Sequence, residues 1–550
     1  MRLIDLVHET QATQGRRLVF PVGIFPAVAW TGTDFIQNCT NAETQTKTLQ
    51  CAVEKLGMDL VRTVVDLVSE AEAMGCPVSL NTEEPPSVES SLDRNTLPSD
   101  QVPTPDPYQD GRLPMQLEIM RRSRDYLDSL SEKRYLLGSC VGPFTLLGHV
   151  FGTSEATVGT VLDPETMHAW LRPITKFLTS YAQALMDNGA DILWVSEPLA
   201  SVLSPEQYWE FSGKYCQEIF DQVEGMAVLH ICGDSTMLID SMVATGVDAL
   251  SLDERVNLSD VMSRIPADTV VIGNLSPLFV LENSPEEIAI ATRAMLDEMM
   301  AYPNYVPSTG CALPAKTPLA NALAFMDTCK QYPALPRELT DLLIAIRQSV
   351  IDGASPRTKE LVANGLQKGL LPLQILNGAL IPAINYLGMQ YQKNAVFIPE
   401  LLMAAEAVYA GLDKIRPLLV AENNKPKGTV LIGTVQNDLH DIGKNLVAMM
   451  LESNFYEVIN AGKNVSAAQF IELALKHKPD VIALSALTTS TMTVMADTIS
   501  ALRAHPELAN IKIIVGGAPV TNSYAEKIGA DSYAPDAAAS VVAVGRLLER

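Results

Sequence analysis

The sequence predicts a multidomain α/β protein with three parts: a (β/α)8 TIM barrel, a four-helix bundle and a five-stranded doubly wound domain. Three observations predict this division. Strand and helix patterns alternate over residues 1–338, helical patterns alone fill residues 339–424, and a tighter strand–helix alternation occupies residues 425–550. A chain of 550 residues is also too long for one hydrophobic core, so several domains are expected.

The barrel prediction depends on short apolar runs that end in polar or small residues. These strand candidates are "RRLVFPVGIF", "RYLLGSCVGPF", "GADILWVSEP", "GMAVLHICGD", "VDALSLDE" and "DTVVIGNLSP". Amphipathic stretches such as Glu206–Val223 separate them, and this alternation is typical of parallel βα units that close into a barrel. Asn81–Pro114, rich in Pro, Ser and Asp, interrupts the pattern. We interpret it either as a lid or binding loop or as a mobile segment.

The next two regions differ in their hydrophobic periodicity. Four amphipathic patterns, separated by Gly, Ser-Pro or Ile-Pro, predict the helices of the bundle. The polar stretch "AENNKPKG", Ala421–Gly428, follows them and is interpreted as a linker. Beyond it come five strand candidates: "TVLIGTV", "YEVINAG", "DVIALSAL", "IKIIVGG" and "DSYAPD". They predict a doubly wound sheet of the Rossmann or flavodoxin type, in which ligands bind beyond the carboxyl ends of the strands.

Composition excludes several classes of partner. The 40 basic and 64 acidic residues give a net charge of −24, whereas nucleic acids and anionic membranes bind basic surfaces. The chain starts without the basic-then-apolar pattern of a secretory signal, and it has no apolar window of about 18 residues that could cross a membrane. Its eight cysteines form no close-spaced framework. We therefore predict a cytoplasmic protein with reduced thiols, without nucleic-acid or membrane partners.

The loop "NDLHDIGKN", Asn437–Asn445, lies at the carboxyl end of the first strand candidate of the last region. One interpretation makes His440 an ordinary loop histidine and Asp441 the cap of the next helix. The other is metal ligation, in which His440 binds through one ring nitrogen while Asp438 fixes the tautomer through the other. Gly443 would then let the backbone approach a large planar ligand closely.

A second candidate metal site lies in the predicted barrel. In "AVLHICGDS", His230 and Cys232 are two residues apart at the end of a strand, so their side chains point to the same side. Cys311 in "STGCALP" offers a third soft ligand from a loop bounded by Gly and Pro. Three such ligands with one open position are typical of a catalytic zinc site. The alternative for so short a pair is that Cys232 is a buried structural cysteine.

Other polar residues have structural explanations beside functional ones. Glu197 and Asp253 follow strand candidates on the same predicted face of the barrel, where each is either a substrate-positioning carboxylate or a helix cap. Four further histidines have no cysteine or carboxylate pattern around them, so we expect them to be solvated or packed: His149, His168, His477 and His505.

Three motifs of the last region occur in a recognisable order: Asp438-x-His440-x-x-Gly443, Ser485-x-Leu487-x-Thr489 and Gly516-Gly517. This set resembles the corrinoid-binding domain of cobalamin-dependent methyltransferases. The preceding helices, with "YLGMQYQKNAVFIPELL" at Tyr386–Leu402, resemble the cap that covers the upper cobalt face in that family. The resemblance implies that His440 replaces the lower ligand of cobalt and that Asp438 tunes it. It also implies a cleft for the nucleotide tail, lined by Ser485, Leu487, Thr489, Gly516 and Gly517.

The first region carries a resemblance of its own. "GSCVGPFTLLGHVFG", "GADILWVSEPLAS", "LHICGD" and "STGCALP" are similar, in order, to the uroporphyrinogen decarboxylase-like methyltransferases. These include the methylcobamide:coenzyme M methyltransferases, whose catalytic zinc ligands match His230, Cys232 and Cys311. A true decarboxylase holds its polyanionic porphyrinogen with an arginine-bearing N-terminal loop, but "PVGIFPAVAW" has no basic residue here.

Together these resemblances imply a fused methyltransferase that moves a methyl group between a small molecule at a zinc site and the cobalt of its own corrinoid. Its domains would be the zinc barrel at 1–338, the helical cap at 339–424 and the corrinoid domain at 425–550. The expected cofactors are zinc and cobalamin or another corrinoid. The expected partners are a small methyl donor or a thiol such as coenzyme M, with a corrinoid-reactivating protein and a second methyltransferase as further candidates. The alternatives are a corrinoid carrier or sensor with an inactive barrel, and a uroporphyrinogen decarboxylase-like enzyme.

Transfer between two such sites requires movement. Reacting groups must come within roughly 3–3.5 Å of each other, yet a cap would cover the upper cobalt face at rest. We therefore expect hinges at "AENNKPKG" and at Lys330–Leu339, which are polar or Pro-bearing joints with little to bury.

Overall fold

A computed structural model describes residues 2–64, 66–92, 101–392, 395–419, 426–453 and 456–548. The chain divides into two compact units: Met1–Ile344 with Asn377–Pro382, and Ala345–Leu376 with Ala383–Arg550. The finer division at residues 338 and 424 stays a prediction. Part of the predicted loop at 81–114, most of the predicted linker at 421–428 and two residues of the cap signature, 393 and 394, lie outside the described residues.

The described part of the first unit contains nine strands: β1 (Leu60–Arg62), β2 (Val78–Ser79), β3 (Ser87–Val88), β4 (Tyr135–Val141), β5 (Ile192–Ser196), β6 (Met226–Ile231), β7 (Ala249–Leu252), β8 (Val270–Leu275) and β9 (Tyr305–Thr309). β2 and β3 form a short antiparallel pair. The other seven form one parallel sheet whose spatial order equals the chain order. Sequential parallel strands with helices between them are the arrangement of a βα barrel.

The first predicted strand, "RRLVFPVGIF", joins neither sheet ladder of this unit, and its last residue, Phe25, begins a helix. Asp59 N donates to Val19 O at 3.0 Å, and Val22 N donates to Thr309 Oγ1 at 3.2 Å, so the segment lies between the edge strands β1 and β9. All seven sheet strands, this segment and the first helix contribute to one buried apolar cluster. The predicted parallel α/β class is confirmed. Seven strands are paired, and the segment that contains Val19 and Val22 lies unpaired between the two edge strands, where an eighth strand would close the barrel.

A second apolar cluster packs between the sheet and the helices around it. The described helices of this unit are α1 (Leu3–Gln14), α2 (Phe25–Trp30), α3 (Phe35–Thr40), α4 (Ala42–Leu56), α5 (Ser69–Ala73), α6 (Leu113–Asp128), α7 (Pro143–Phe151), α8 (Thr153–Leu162), α9 (Pro164–Asp187), α10 (Pro205–Tyr208), α11 (Lys214–Gln222), α12 (Ile239–Val243), α13 (Leu258–Val261), α14 (Pro277–Glu282), α15 (Pro285–Glu298) and α16 (Leu319–Gln331), and all but α1 contribute to this second cluster. Local signals begin several of them. Ser284 and Glu287 form a capping box at the start of α15, and Pro285 occupies its first position.

The segment predicted as a hinge, Lys330–Leu339, joins α16 to the next helix. Pro333 forms an isolated bridge with Arg16, and Ala334 N donates to Gly15 O at 2.8 Å. These bonds connect the segment to the end of α1 within the same unit. Its role as a hinge stays a prediction.

The predicted bundle is confirmed as α17 (Arg337–Ile351), α18 (Ser355–Gln367), α20 (Ile381–Gln392) and α21 (Ile398–Leu419), with a short α19 (Pro372–Ile375) between the second and third. α18 packs along α21. Proline at the first or second position begins α18 and α19, where its missing N–H costs no helical hydrogen bond. No helix among the described ranges is long and apolar enough to cross a membrane.

The last region alternates strands and helices as predicted: β10 (Thr429–Val435), α22 (Ile442–Ser453), β11 (Glu457–Val465), α23 (Ala467–His477), β12 (Val481–Ser485), α24 (Thr489–Ala504), β13 (Lys512–Gly516), α25 (Asn522–Lys527), β14 (Ser532–Ala534) and α26 (Ala537–Leu548). The strands form a parallel sheet in the order β11-β10-β12-β13-β14, with an apolar cluster on each face. Consecutive strands lie on opposite sides of β10, so the sheet has a topological switch point there. Ligands of doubly wound domains bind at such points.

Candidate functional sites

The barrel brings the three predicted metal ligands together. β6 carries His230 to the carboxyl end of the sheet, Cys232 follows it directly, and Cys311 follows β9. His230 Nε2 lies 3.2 Å from Cys232 Sγ and 3.9 Å from Cys311 Sγ, and the two sulfur atoms are 3.7 Å apart. All three ligand atoms fall within 4.8 Å of one another.

This geometry fits a tetrahedral metal ion. Zinc bonds of about 2.3 Å to sulfur and about 2.0 Å to nitrogen place two sulfurs about 3.8 Å apart and a sulfur and a nitrogen about 3.6 Å apart. The observed sulfur separation of 3.7 Å agrees with the first of these values. The observed nitrogen–sulfur distances of 3.2 and 3.9 Å lie on either side of the second. One imidazole and two thiols are also the donor set that zinc prefers, and they leave a fourth position for another ligand.

The ring of His230 is oriented by a residue that the sequence analysis missed. Its Nδ1 lies 3.0 Å from Ser251 Oγ and 3.2 Å from Ser251 O on β7. A carbonyl oxygen only accepts hydrogen bonds, so Nδ1 carries the proton and the neutral ring keeps its lone pair on Nε2. That is the nitrogen that faces the two sulfurs. His230 itself is only 3% exposed, so the ring has little freedom to turn.

The two thiols differ in acidity because they share one hydrogen bond. The hydrogen bond between the two thiol groups, together with the nearby His230, holds the pKa of Cys311 well below its usual range despite burial. The same hydrogen bond, together with burial, raises the pKa of Cys232. The lowered pKa of Cys311 favours the thiolate, which is the form in which cysteine binds metals.

Glu197 is a helix cap, one of the two interpretations left open. It is fully buried after β5 and accepts hydrogen bonds from Phe144 N at 2.7 Å and Thr145 N at 2.8 Å, in the first turn of α7. The hydroxyls of Thr145 and Ser212 also donate to it, at 2.5 and 2.9 Å. A side chain at Gly142 would overlap this carboxylate, so glycine is required there. With four donors, Glu197 has no free oxygen for a substrate.

Asp253 closes the turn after β7. Its Oδ1 accepts from Arg255 N at 3.0 Å, and its carbonyl accepts from Asn274 Nδ2 at 2.9 Å. The loop that carries Cys311 runs close by, because a side chain at Gly310 would overlap the backbone at Glu254. Asp253 therefore has a turn-forming role and also lies near the metal ligands, so a substrate-positioning role stays a prediction.

His149 and His168, which the sequence predicts to be solvated or packed, are packed in the barrel unit. His168 stacks on Phe211 with ring centres 4.7 Å apart and contacts Tyr215 OH at 2.8 Å and Glu210 at 3.1 Å. Burial lowers the pKa of His149 to about 4, so this ring is neutral. In the second unit, His477 ends α23 and His505 follows α24.

The corrinoid-type motif has a second oriented imidazole. After β10, Asp438 Oδ1 lies 2.7 Å from His440 Nδ1 and also accepts from His440 N at 3.0 Å. The other oxygen of Asp438 accepts from Leu487 N at 2.7 Å and from Thr491 Oγ1 at 2.6 Å. The side chain of Asp438 is fully buried, whereas that of His440 is 55% exposed. Nε2 of His440 is therefore the nitrogen available to an incoming ligand.

Asp438 is ionised in this setting. Burial raises the pKa of the carboxyl, but the hydrogen bonds from Thr491, Leu487 and His440 outweigh burial and hold the pKa below its ordinary value. The carboxylate also joins the loop after β10 to Leu487 in the loop after β12 and to Thr491 in the first turn of α24. Thr491 was not singled out by the sequence motif, since it lies beyond Thr489 on α24.

The other predicted corrinoid-site residues lie at the carboxyl ends of β12 and β13, beside this loop. Ser485 ends β12, Leu487 is half exposed, and Thr489 begins α24. Gly516 ends β13, and Gly517 has a φ of +125°. A side chain at Gly517 would overlap the carbonyl of Ala486, so only glycine lets the two loops approach. All five predicted cleft residues therefore lie at the carboxyl end of the parallel sheet.

Space for a bulky ligand exists at Gly443, where an added Cβ would meet no atom within 4 Å. One cap residue contacts this loop. Tyr409 on α21 donates from its hydroxyl to Asp441 Oδ1 at 3.1 Å and accepts from Asn445 Nδ2 at 3.1 Å. An exposed, oriented imidazole beside an open glycine at a topological switch point fits a corrinoid.

Comparison with known proteins agrees with this division. Residues 27–332 match the uroporphyrinogen decarboxylase (URO-D) family, and residues 342–416 and 428–542 each match a B12 binding domain. The URO-D match covers more than half of the chain. The chain therefore belongs to the URO-D family, and it carries corrinoid-binding domains after the barrel.

Individual relatives each cover only part of this chain. Trimethylamine corrinoid protein 2 of Methanosarcina acetivorans is 36% identical over 205 residues, which cover 36% of this chain and 94% of that protein. Dimethylamine corrinoid protein 2 of the same organism is 34% identical over 215 residues, covering 39% of this chain and 96% of that protein. A methyltransferase from Methanosarcina mazei shares the fold with a TM-score of 0.52 and 24% identity, over 57% of this chain and 93% of that one.

Proposed function

We propose that this chain is a corrinoid-dependent methyltransferase. Its barrel metal site would bind a small methyl donor or a thiol acceptor, and its own corrinoid domain would carry the methyl group. The observation that supports this most directly is the presence in one chain of a His/Cys/Cys cluster with an open fourth position and of an exposed histidine oriented by a buried carboxylate.

His230, Cys232 and Cys311 would hold zinc, and His440 would be the lower ligand of a corrinoid. A zinc ion there would lower the pKa of a bound thiol, and a corrinoid would supply a cobalt centre that accepts and returns a methyl group. The chain's own residues hold the ligands in place. Ser251 orients the imidazole of His230, and Asp438 keeps a proton on Nδ1 of His440.

The names of the relatives suggest a substrate class. Corrinoid proteins named for trimethylamine and dimethylamine are 36% and 34% identical to this chain over 205 and 215 residues. We propose a methylamine-derived methyl group as one candidate cargo and a small thiol such as coenzyme M as one candidate acceptor. A second methyltransferase would load the corrinoid in that case, and a reactivating protein would restore oxidised cobalt.

The same relatives favour a second candidate function, a corrinoid carrier whose barrel is inactive. The matches cover 94% and 96% of those two relatives but only 36% and 39% of this chain, so most of this chain has no counterpart in them. Against this candidate, a barrel without chemistry needs no oriented imidazole with two adjacent thiols. A uroporphyrinogen decarboxylase-like activity is supported by the family alone and is tested in parallel with porphyrinogen as substrate.

A methyl-transfer assay on the full-length chain tests the proposal. The protein, loaded with zinc and with cobalamin whose cobalt a chemical reductant keeps in its lowest oxidation state, is incubated with methylamines, methanol or a methyl thioether, and with small thiols. The readouts are the visible spectrum of the corrinoid and the methylated thiol by mass spectrometry. We expect transfer with at least one pair and none in Cys232→Ser, while Cys51→Ser on α4 serves as the matched control.

Two outcomes would contradict the proposal. Transfer that is unchanged in both Cys232→Ser and Cys311→Ser would favour the carrier. Absence of transfer with every pair, in protein that has bound both zinc and cobalamin, would exclude the methyltransferase for these substrates.

A further inference from the structure

A buried arginine lies inside the barrel with only neutral partners. Arg62 ends β1 and is 2% exposed. Its Nε donates to Ser139 Oγ at 2.7 Å, its Nη2 to Ser196 Oγ at 3.2 Å and its Nη1 to Val22 O at 3.3 Å. No carboxylate among the described residues forms an ion pair with it. A buried cation is costly unless a negative charge lies nearby.

The sulfurs of the metal cluster are candidates for that charge, because they interact with Arg62 and act against the effect of its burial. The guanidinium carbon of Arg62 lies 4.6 Å from the centre of the Trp194 ring, and that ring lies 5.6 Å from the imidazole of His230. Arg62 and His230 are therefore no further apart than the sum of these distances. Burial lowers the pKa of Arg62 to about 9, and interaction with the cysteine sulfurs of Cys311, Cys232 and Cys140 acts against that effect. Arg62 is cationic at neutral pH.

Strand register explains this placement. Leu60 belongs to the apolar cluster inside the barrel, so Arg62, two residues further on, points to the same side. Ser196, which accepts from Arg62, is the register partner of His230 on the next strand. The interior is thus apolar at one end and polar at the carboxyl end, where the metal ligands lie.

A second buried arginine provides a comparison. Arg17 is 3% exposed and lies 5.5 Å from the ring centre of Tyr305. Its guanidinium donates to carbonyls that follow the C-terminus of α15, including Tyr302 O at 2.7 Å and Met300 O at 3.1 Å. Carbonyls at a helix end carry partial negative charge, which accounts for this cation. None of the hydrogen-bond partners of Arg62 named above lies at the C-terminus of a helix, so its buried charge needs another explanation.

Charge balance at the metal site supplies that explanation. A divalent ion with two thiolates and a neutral imidazole has no net charge, and a neutral fourth ligand leaves it unchanged. An anionic fourth ligand makes the assembly negative, and a fixed cation about 10 Å away in a medium of effective dielectric constant about 20 then favours binding about tenfold.

We propose that Arg62 is a specificity-determining residue that makes the barrel metal site prefer an anionic fourth ligand, such as a thiolate, over a neutral amine or alcohol. This inference depends on the proposed function only in requiring that the cluster binds a divalent metal ion. It assigns the thiol-binding half of the reaction to the barrel.

The test measures ligand binding without methyl transfer. Full-length protein is loaded with cobalt(II), whose visible spectrum reports the fourth ligand, and is titrated with azide as an anion and with imidazole as a neutral ligand. The variants are Arg62→Gln, Arg62→Lys and, as the matched control, Arg17→Gln. Far-UV circular dichroism checks that each is folded.

We expect Arg62→Gln to raise the Kd of azide about tenfold and to change that of imidazole by less than about twofold. Arg62→Lys should keep the affinity for azide, and Arg17→Gln should leave both constants unchanged. If Arg62 had a purely structural role, the variant would bind azide and imidazole more weakly to the same degree.

The inference is wrong if the azide-to-imidazole ratio in Arg62→Gln equals that of the wild type. It is also wrong if both Arg62 variants fail to fold while Arg17→Gln folds, because Arg62 is then a fold determinant. Failure of the wild-type chain to bind cobalt(II) or zinc at all would instead contradict the proposed metal site.

Discussion

The barrel and the corrinoid-type domain each hold a histidine by its Nδ1, but with different partners. His230 faces the neutral carbonyl and hydroxyl of Ser251 and is buried. His440 faces the ionised Asp438, and its side chain is 55% exposed. A neutral partner for the imidazole suits a site where two metal-bound thiolates would already supply negative charge. A carboxylate increases the basicity of an imidazole that has to bind a large ligand alone.

The two sites also differ in how far their ligand atoms are already in position for binding. In the barrel the three ligand atoms already lie within 4.8 Å of one another, so a metal ion needs little rearrangement. In the corrinoid-type domain the carboxylate is held by four hydrogen bonds, while the imidazole that it orients is open to solvent. The first site is built for a small ion and the second for a bulky partner.

The largest expected effect is loss of metal from the barrel. Cys232→Ser and Cys311→Ser each remove one of three ligands, so we expect zinc content to fall from about one per chain to nearly none. Cobalamin binding should be unchanged, because the corrinoid-type motif belongs to the other unit. Elemental analysis and cobalamin absorbance measure the two. Full zinc occupancy in both variants would move the metal site elsewhere, and Cys51→Ser is the control.

The next effect is on the lower cobalt ligand. His440→Ala should remove the nitrogen ligand and change the visible spectrum and the cobalt spin resonance of bound cobalamin. Asp438→Asn keeps the histidine but loses the charge on its partner, so we expect about 10- to 100-fold weaker binding. Thr491→Val, which removes one donor to Asp438, should lie between Asp438→Asn and the wild type. An unchanged spectrum in His440→Ala would contradict the assignment.

A smaller effect is expected at the partner of His230. Ser251→Ala removes the hydroxyl but leaves the carbonyl, so zinc affinity should fall by less than about tenfold, the lower end of such effects. Competition with a chelator measures it. Ser308→Ala on β9 is the matched control, because its hydroxyl is buried without a hydrogen-bond partner in the described structure. A fold loss of zinc affinity in Ser251→Ala as large as the fold loss of cobalamin affinity in Asp438→Asn would show that the two histidines do not differ as argued.

The smallest effect concerns the cap. Tyr409→Phe removes the hydroxyl that joins α21 to Asp441 and Asn445, a loss of about 1 kcal/mol. We expect faster amide hydrogen exchange in α21 with little change in global stability. Tyr524→Phe, which removes a hydroxyl bond to Met492 O elsewhere in the same unit, is the control. Equal exchange in Tyr409→Phe and the wild type would mean that this bond does not hold the cap.

Several features of this protein follow from local sequence alone. Period two along β6 puts His230 and Cys232 on one side, and the two-residue spacing of Asp438 and His440 lets one side chain reach the other within a single loop. The strand and helix elements also follow from local periodicity, because burial of one face imposes it. The four-helix bundle and the five-stranded sheet appear where these patterns predict them.

Only the tertiary structure decided the rest, because those contacts join positions far apart in the chain. Ser251 reaches His230 through the register of β6 with β7, and Thr491 reaches Asp438 because β10 and β12 are neighbours. The unpaired segment at residues 18–22 and the capping role of Glu197 likewise depend on which elements meet. Sequence spacing carries no information on strand register or on the charge environment of a buried side chain such as Arg62, since both depend on how the sheet closes.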